Sequence, residues 1–353
     1  MTLTAVTSGL VTEQWAKDVF VEAFPENFWA PYMGGKDAII EVKHDLDNDA
    51  GDRIHYGLVM GLDETGGVTG DSKLTGSEEQ LLNYATTMYI DQLRQGVRLT
   101  GRMDTRKARF DLRSQAKAQL KSWLPRAIDY HIFHQLAGDT NYTFAGNTGV
   151  LADADHVVVC GNTAWNTDVV TTEGDMDSVD YLTTWEIDVA VEKAKVLEPM
   201  IRPVRVKGSD HYLLVIHPYC ANKLRYGTDT KWYTAMRDAQ TRGDSNPLFT
   251  GALAIWNGTV IREHRLIQAV TAEGSGYFYR NLFLGAQAGS AAFAEKKIWA
   301  EDTTSGEADY GNRPGFAAGF IGGFKKNIFN SDDYGMLTVM SYGIAMAQED
   351  HAS

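Results

Sequence analysis

The chain has 353 residues, is 44% apolar and 22% charged, and carries a net charge of −13, a balance that excludes intrinsic disorder and general nucleic-acid affinity. Cys160 and Cys220 are its only cysteines, too few for a disulfide-stapled scaffold or a thiolate zinc site. No stretch reaches the roughly 18–20 continuous apolar residues of a membrane span, and the N-terminus lacks the basic-then-apolar order of a signal peptide.

In chain order, residues 12–24 read as a short helix with Trp15, Val19 and Ala23 on one face and Thr12 as its cap. The following "PENFWAPYMGG" holds two prolines and three aromatics; it is expected to run extended and to lie on another part of the protein. Residues 38–60 contain the strand-like runs "AIIEVKH" and "RIHYGLVM", separated by "DLDNDAGD". Asp45, Asp47 and Asp49 have the 1-3-5 spacing of a calcium loop. Ala50 and Tyr56 stand where that loop needs Gly and Glu, so an acidic turn is expected. Residues 61–80 hold five glycines and almost no large apolar side chains, too little to offset their ordering entropy without a partner. Residues 81–101 recover apolar character.

The spacing predicts one long helix over residues 103–137, with Phe110, Leu120, Leu124, Ile128 and Ile132 on its apolar face, Pro125 kinking or dividing it, and Gly138 ending it. Arg102, Arg106, Arg109, Arg113, Lys117 and Lys121 recur every three or four residues and so form a basic stripe on one helical face. Two readings stand beside each other: an ordinary solvated face, or a surface for acidic partners, either neighbouring subunits or packaged nucleic acid. Charge along the chain fits the second. Residues 1–101 hold 7 basic and 16 acidic residues, 102–138 hold 8 and 3, and 139–200 hold 2 and 12. A basic block between two acidic ones favours self-association.

Residues 139–180 read as a polar loop around one buried strand, "HVVVCG". Residues 184–198 form an amphipathic helix ended by Pro199, and "HYLLVIHP" (211–218) a buried strand. "YCANKLRYG" and "DTKWYTAMRDAQTRG" follow as helices. "GALAIWNGTVIREH" is a hairpin turning at Asn257-Gly258. "YFYRNLFLGAQA" and the run from Met336 are further strands. Strands and helices do not alternate in βαβ order, so the class is α+β.

Few residues invite chemistry. His131 and His134 are i,i+3 neighbours able to reach one metal, but no nearby acid completes a motif and "YHIFHQ" favours packed histidines. Gly285 and Gly289 in "LFLGAQAGSAAFA" resemble a strand entering a glycine turn before a helix, where phosphates often sit. The lysine of a phosphate loop and the three-glycine dinucleotide pattern are both missing, which leaves a close-packed strand-to-helix corner. G-x-S-x-G, H-E-x-x-H and C-x-x-C are absent, and no nucleophile pairs with a base. The alternatives to a structural protein are a metal- or nucleotide-dependent enzyme using His131/His134 or the Gly285/Gly289 turn, and a surface-binding module with polar loops.

The order "LVIHP … W … NPLFTG … NG … EH … LGAQA … DYG" from residue 211 onward resembles the major capsid proteins of tailed bacteriophages, in the group named after the capsid protein of coliphage N-four. That resemblance implies a Hong Kong 97-type capsid fold, with residues 1–33 as the N-terminal arm and 34–101 as the extended loop. It implies a peripheral domain at 102–204 with the spine helix 103–137, an axial domain at 205–325, and a last strand within 326–353 returning to the peripheral domain. The arm begins almost at once, so no scaffolding segment is expected before it. The resemblance further implies a non-enzymatic subunit of an icosahedral head shell enclosing double-stranded DNA. It would be built in the host bacterial cytoplasm and reside in the virion, without cofactor, metal or membrane. Its partners would be itself in hexamers and pentamers, scaffolding, portal and decoration proteins, and DNA by non-specific contact.

Overall fold

A computed structural model describes residues 27–43, 51–63, 66–107, 111–161, 176, 180–206, 208–226, 253–273, 276–304 and 306–345. The expected helix at 12–24, the acidic turn at Asp45, Asp47 and Asp49, the helix "DTKWYTAMRDAQTRG" and Arg109 lie outside these residues. The described chain divides into two units. The smaller takes Asn27, Leu93–Ala127 and Lys296–Phe320; the larger takes Phe28–Gln92, Ile128–Glu295 and the chain from Ile321.

The larger unit is organised by an eight-stranded sheet. Its order is Ala254–Trp256, Thr259–Glu263, Ser209–Ile216, Gly276–Leu284, Met336–Gly343, Val157–Val159, with Val204–Val206 and Ala269–Glu273 paired beside it. Ser209–Ile216 reads as a continuous apolar run because both its faces are covered: every residue from His211 to Ile216 is buried. Asn257 (φ 42°) and Gly258 (φ 76°) make the expected hairpin turn, joining Ala254–Trp256 antiparallel to Thr259–Glu263. The helix α3 (Thr184–Val196) starts at a capping box, in which the Thr183 side chain accepts from the backbone and Glu186 reaches back to the Thr183 N–H. Its Ile187, Val191 and Ala194 join Leu214, Ile216, Phe283, Leu337 and Val339 in one apolar core, closed by Ala221 and Leu224 of the helix α4 (Pro218–Tyr226).

A second, five-stranded sheet has the order Met33–Gly34, Ile40–Lys43, Gly289–Asp302, Gly315–Lys326, Asp91–Arg98. Its first two strands are parallel to each other, and Ile40 faces Gly289 in parallel register. Arg53–Val59 and Asn83–Tyr89 form a separate antiparallel hairpin, from Arg53↔Tyr89 to Val59↔Asn83. The base of that hairpin is anchored in the larger unit by Ile54 and Met88 against Ala292.

Two expectations are corrected, the single helix over 103–137 and the strand-to-helix corner after Gly285. The helix predicted over 103–137 is two helices, α1 (Arg102–Lys107) and α2 (Leu112–Leu136). Asp111 is not helical, and its Oδ1 accepts from the Arg113 N–H at 3.0 Å, which caps a new start. Pro125 does not divide α2, and Gly138 (φ 68°) ends it as expected. The stretch after Gly285 is a strand–turn–strand, since Gly289 opens the fourteen-residue strand Gly289–Asp302. Alanines at 291, 292 and 294 suit a helix by propensity, but sheet neighbours on both sides decide the outcome. Residues 289–302 and 315–326 leave the eight-stranded sheet that holds the other described strands of 205–325. The last strand, Met336–Gly343, stays in that sheet, between Gly276–Leu284 and Val157–Val159.

Candidate functional site

In the smaller unit, the sequence predicts a continuous basic stripe, and the helix break at Asp111 interrupts it. Arg102 and Arg106 lie exposed on α1, and Lys121 is exposed on α2. Arg113, also exposed, and the half-buried Lys117 are engaged within the subunit. Both reach the carboxylate of Glu301, Lys117 at 3.2 Å, and both cations lie over the ring of Phe316, at 5.6 and 5.2 Å from its centroid. The hydrogen bond from Lys117 and the two positive charges hold the Glu301 carboxyl below its ordinary range. Beneath them Ala116 and Leu120 pack on Phe316 and Ala318, with Val97 and Leu99 at the edge. Two of the six stripe residues therefore stabilise their own subunit, and three of the remaining four are placed at its surface.

His131 and His134 are brought together near the end of α2 as packed rings. His131 Nδ1 meets the Tyr142 hydroxyl, and its ring stacks on Phe144 at 4.1 Å. His134 Nδ1 bonds to Asp139 Oδ2 at 2.9 Å, under Tyr130. Burial pushes the His131 pKa down to about 4. Among the described residues no three His, Cys, Asp or Glu side chains gather in a metal-binding group.

Gly285 and Gly289 serve packing. A Cβ on Gly285 would stand 2.5 Å from the Arg202 carbonyl oxygen, and one on Gly289 would stand 3.1 Å from Leu136 Cδ2. The turn between them is a junction of backbones: Ala286 N–H donates to Arg202 O at 2.7 Å, Gln287 N–H to Ala38 O at 2.8 Å, and Asn327 Nδ2 to Gln287 O at 2.7 Å. Its amides are spent on protein carbonyls, which removes the phosphate-site reading.

Two features carry surface and were only partly visible in the sequence. The first is the hairpin Arg53–Val59/Asn83–Tyr89. Beyond its base, Val59, Leu62, Leu74, Leu81 and Leu82 are each at least 50% exposed. The low apolar content of 61–80 signalled a segment without a core, but not that its two leucines, Leu62 and Leu74, face water. The second is the turn 306–313, where Tyr310 is 100% exposed; the only signal was the turn-rich "DYGNRPG".

The aromatic entry segment lies, as expected, on another element. It is not wholly extended, because Ala30–Tyr32 make a turn of 3₁₀ helix. Both oxygens of Asp129 on α2 accept backbone N–H groups from it, Oδ2 from Phe28 at 2.7 Å and Oδ1 from Trp29 at 3.2 Å. Trp29 is 0% exposed against Phe133, and Phe28 packs on His264 at 4.8 Å. Burial outweighs those two donors and raises the Asp129 pKa to about 6.

This architecture has known counterparts. The profile of the family described as phage capsid protein matches residues 3–345. The major capsid protein of Pseudomonas phage KPP25 is 29% identical over 313 residues, covering 77% of this chain and 79% of the relative. The capsid of Ralstonia phage GP4 matches with a TM-score of 0.83 at 27% identity, over 98% of this chain and 99% of that one. The capsid of Cyanophage Pam1 matches with a TM-score of 0.79 at 23% identity, over 98% and 100%. The fold is thus the Hong Kong 97-like α+β capsid fold, and the role is structural rather than enzymatic. With a profile match spanning nearly the whole chain and a shared fold at full coverage, the protein belongs to the phage capsid protein family.

Proposed function

We propose that this chain is the major capsid protein of a tailed phage, whose copies close as hexamers and pentamers into an icosahedral head shell around double-stranded DNA. The observation that carries the reading is the family match over residues 3–345. The exposed hairpin between 53 and 89 supports it physically. A two-stranded ribbon with five large apolar side chains in water is marginal alone and gains its missing contacts from a neighbour. In this reading residues 1–33 are the arm, 53–89 the bridging part of the loop at 34–101, and α1 and α2 the broken spine of the peripheral domain. The eight-stranded sheet is the core of the axial domain. Arg102, Arg106 and Lys121, with Arg109, are the stripe residues left for acidic neighbours or DNA. Scaffolding and portal proteins are the partners that closure and filling require, and decoration proteins would add to the finished shell.

Expression with the cognate scaffolding protein, followed by negative-stain microscopy, tests the reading. Closed shells are expected, and compact monomers under every condition would sink it. Deleting residues 61–76, all in the outer part of the hairpin, should leave a folded subunit with a normal circular dichroism spectrum that no longer forms normal shells. Wild-type particles from the deletant would refute the bridging role.

A further inference from the structure

The long strands Gly289–Asp302 and Gly315–Lys326 are joined by a turn whose conformation is fixed from within. Ala308 is fully buried, and its carbonyl accepts from Gly311 N–H at 3.0 Å and Arg313 N–H at 2.9 Å. Asn312 binds Asp309 twice, through backbone (2.9 Å) and side chain (3.0 Å), and its Oδ1 accepts from the Arg102 N–H at 3.2 Å. Arg98 holds Asp302 at 3.2 Å and Glu307 at 3.6 Å.

Inside this frame Asp309, Tyr310 and Gly311 are consecutively left-handed, with φ of 46°, 51° and 81°. Glycine adopts that region freely and aspartate tolerates it; a bulky tyrosine does so against a steric penalty. The result is a ring that is 100% exposed. Strain that places an aromatic side chain wholly in water gives the free subunit nothing. Tyrosine is among the residue types that most often anchor interfaces, since its ring buries a large area while its hydroxyl stays satisfied.

The charges indicate the occupant. The turn 306–313 holds two acids, Glu307 and Asp309, and one arginine, Arg313. The neighbouring α1 holds three bases and one acid, with Met103 at 68% exposure. Among the described residues Arg102 and Arg106 have no ion-pair partner. An acidic aromatic projection and a basic, partly apolar seat on one unit are complementary. The turn is joined to its own α1 by the Arg102 N–H, yet Tyr310 is fully exposed and so does not rest on that seat in its own copy.

We propose that the 306–313 turn is an assembly knob, and that Tyr310 docks on the face of α1 formed by Arg102, Met103 and Arg106 in a second copy of this chain. Such a contact is head-to-tail, which closes rings when the rotation permits. Stacking of the ring on a guanidinium supplies attraction and the surrounding charges set register. The proposal rests on the capsid reading.

Full-length variants co-expressed with scaffolding protein test it by particle yield. Tyr310→Ala should melt as the wild type does, because the frame of the turn does not use the ring, yet give at least tenfold fewer shells. Tyr310→Phe should keep most of the yield. Glu307→Arg and Arg106→Glu should each lower it, and their combination should recover it. Wild-type yield from Tyr310→Ala, or a double variant no better than the worse single, would overturn the knob. If Tyr310→Ala aggregates, the charge exchange decides alone. Absence of particles from the wild type would overturn the capsid reading, and the knob with it.

Discussion

Lys326 and Asp333 lie 2.6 Å apart with both side chains only 2% exposed. Burial pushes the lysine pKa down and the aspartate pKa up, while each partner's charge opposes that shift. The two charges are tolerated because they are paired and because the Lys326 ammonium also reaches the Leu151 carbonyl at 3.3 Å. Removing one partner strands the other. Lys326→Ala should destabilise the subunit by about 3–5 kcal/mol, whereas Lys326→Met combined with Asp333→Leu should cost much less than either single change. Denaturant unfolding of the four proteins measures both, and additive costs would show that the pair is not coupled. Asp129 is stabilised differently: its carboxylate ties the aromatic entry segment to α2 through two backbone N–H groups, so the anchor depends on geometry more than on charge. These roles follow from partners 7 to 175 residues apart in the chain, which no local spacing announces.

Elements were legible where local chemistry and tertiary environment agree. The Asn257-Gly258 turn supplies both positive φ values that its hairpin requires, so it could be placed from the sequence alone. The helix α3 was legible from its amphipathic pattern and from Pro199 beyond its end, whereas its capping box of Thr183 with Glu186 is a feature of the structure. Replacing that cap tests how far local chemistry sets stability: Thr183→Ala should lower it by about 1 kcal/mol, and Thr183→Ser should restore most of the loss, read as melting temperatures. A Thr183→Ala protein as stable as wild type would leave the packing of Ile187 and Val191 as the whole explanation. The break at Asp111 was written locally too, but the continuous basic stripe masked it, because Arg102 and Arg113 are in phase whether or not the helix continues. Gly289–Asp302 was misread for the opposite reason. Its small residues favour a helix locally, and only the strands on either side, residues 40–43 and 315–326, make it part of a sheet. The stripe itself was half legible: its phase was correct, but the acid that claims Arg113 and Lys117 lies 188 and 184 residues away.

At the scale of the molecule, three histidines and two aspartates among the described residues shape the response to acid. His131, His217 and His264 are all held near a pKa of about 4, chiefly by burial. Geometry points the same way for two of them: His217 Nδ1 accepts from the Tyr219 N–H and His264 Nδ1 from the Leu266 N–H, each at 3.2 Å, and a protonated ring nitrogen cannot accept. The unfolded chain binds protons on these rings near pH 6.5, before the folded chain does. Their contribution to stability is therefore complete above pH 6.5 and is lost as pH falls towards 4, by at most ~1.4 kcal/mol per pH unit for each ring. Asp129 opposes them. Its folded pKa of about 6 exceeds that of a free aspartate, so it adds stability as pH falls through 6 towards 4. Burial raises the Asp333 pKa as well, so it too gains as pH falls; three histidines against two aspartates leave a net loss, and the melting temperature of the unassembled subunit should fall between pH 6.5 and 4. His217→Asn isolates one contribution. An asparagine carbonyl can still accept the Tyr219 N–H but does not titrate, although it gives up the stacking on Tyr279 at 4.1 Å. The variant should melt lower at pH 7.5 and lose stability less steeply in acid. A slope equal to that of the wild type would mean that His217 titrates alike in the folded and unfolded chains, and would remove it from the acid response.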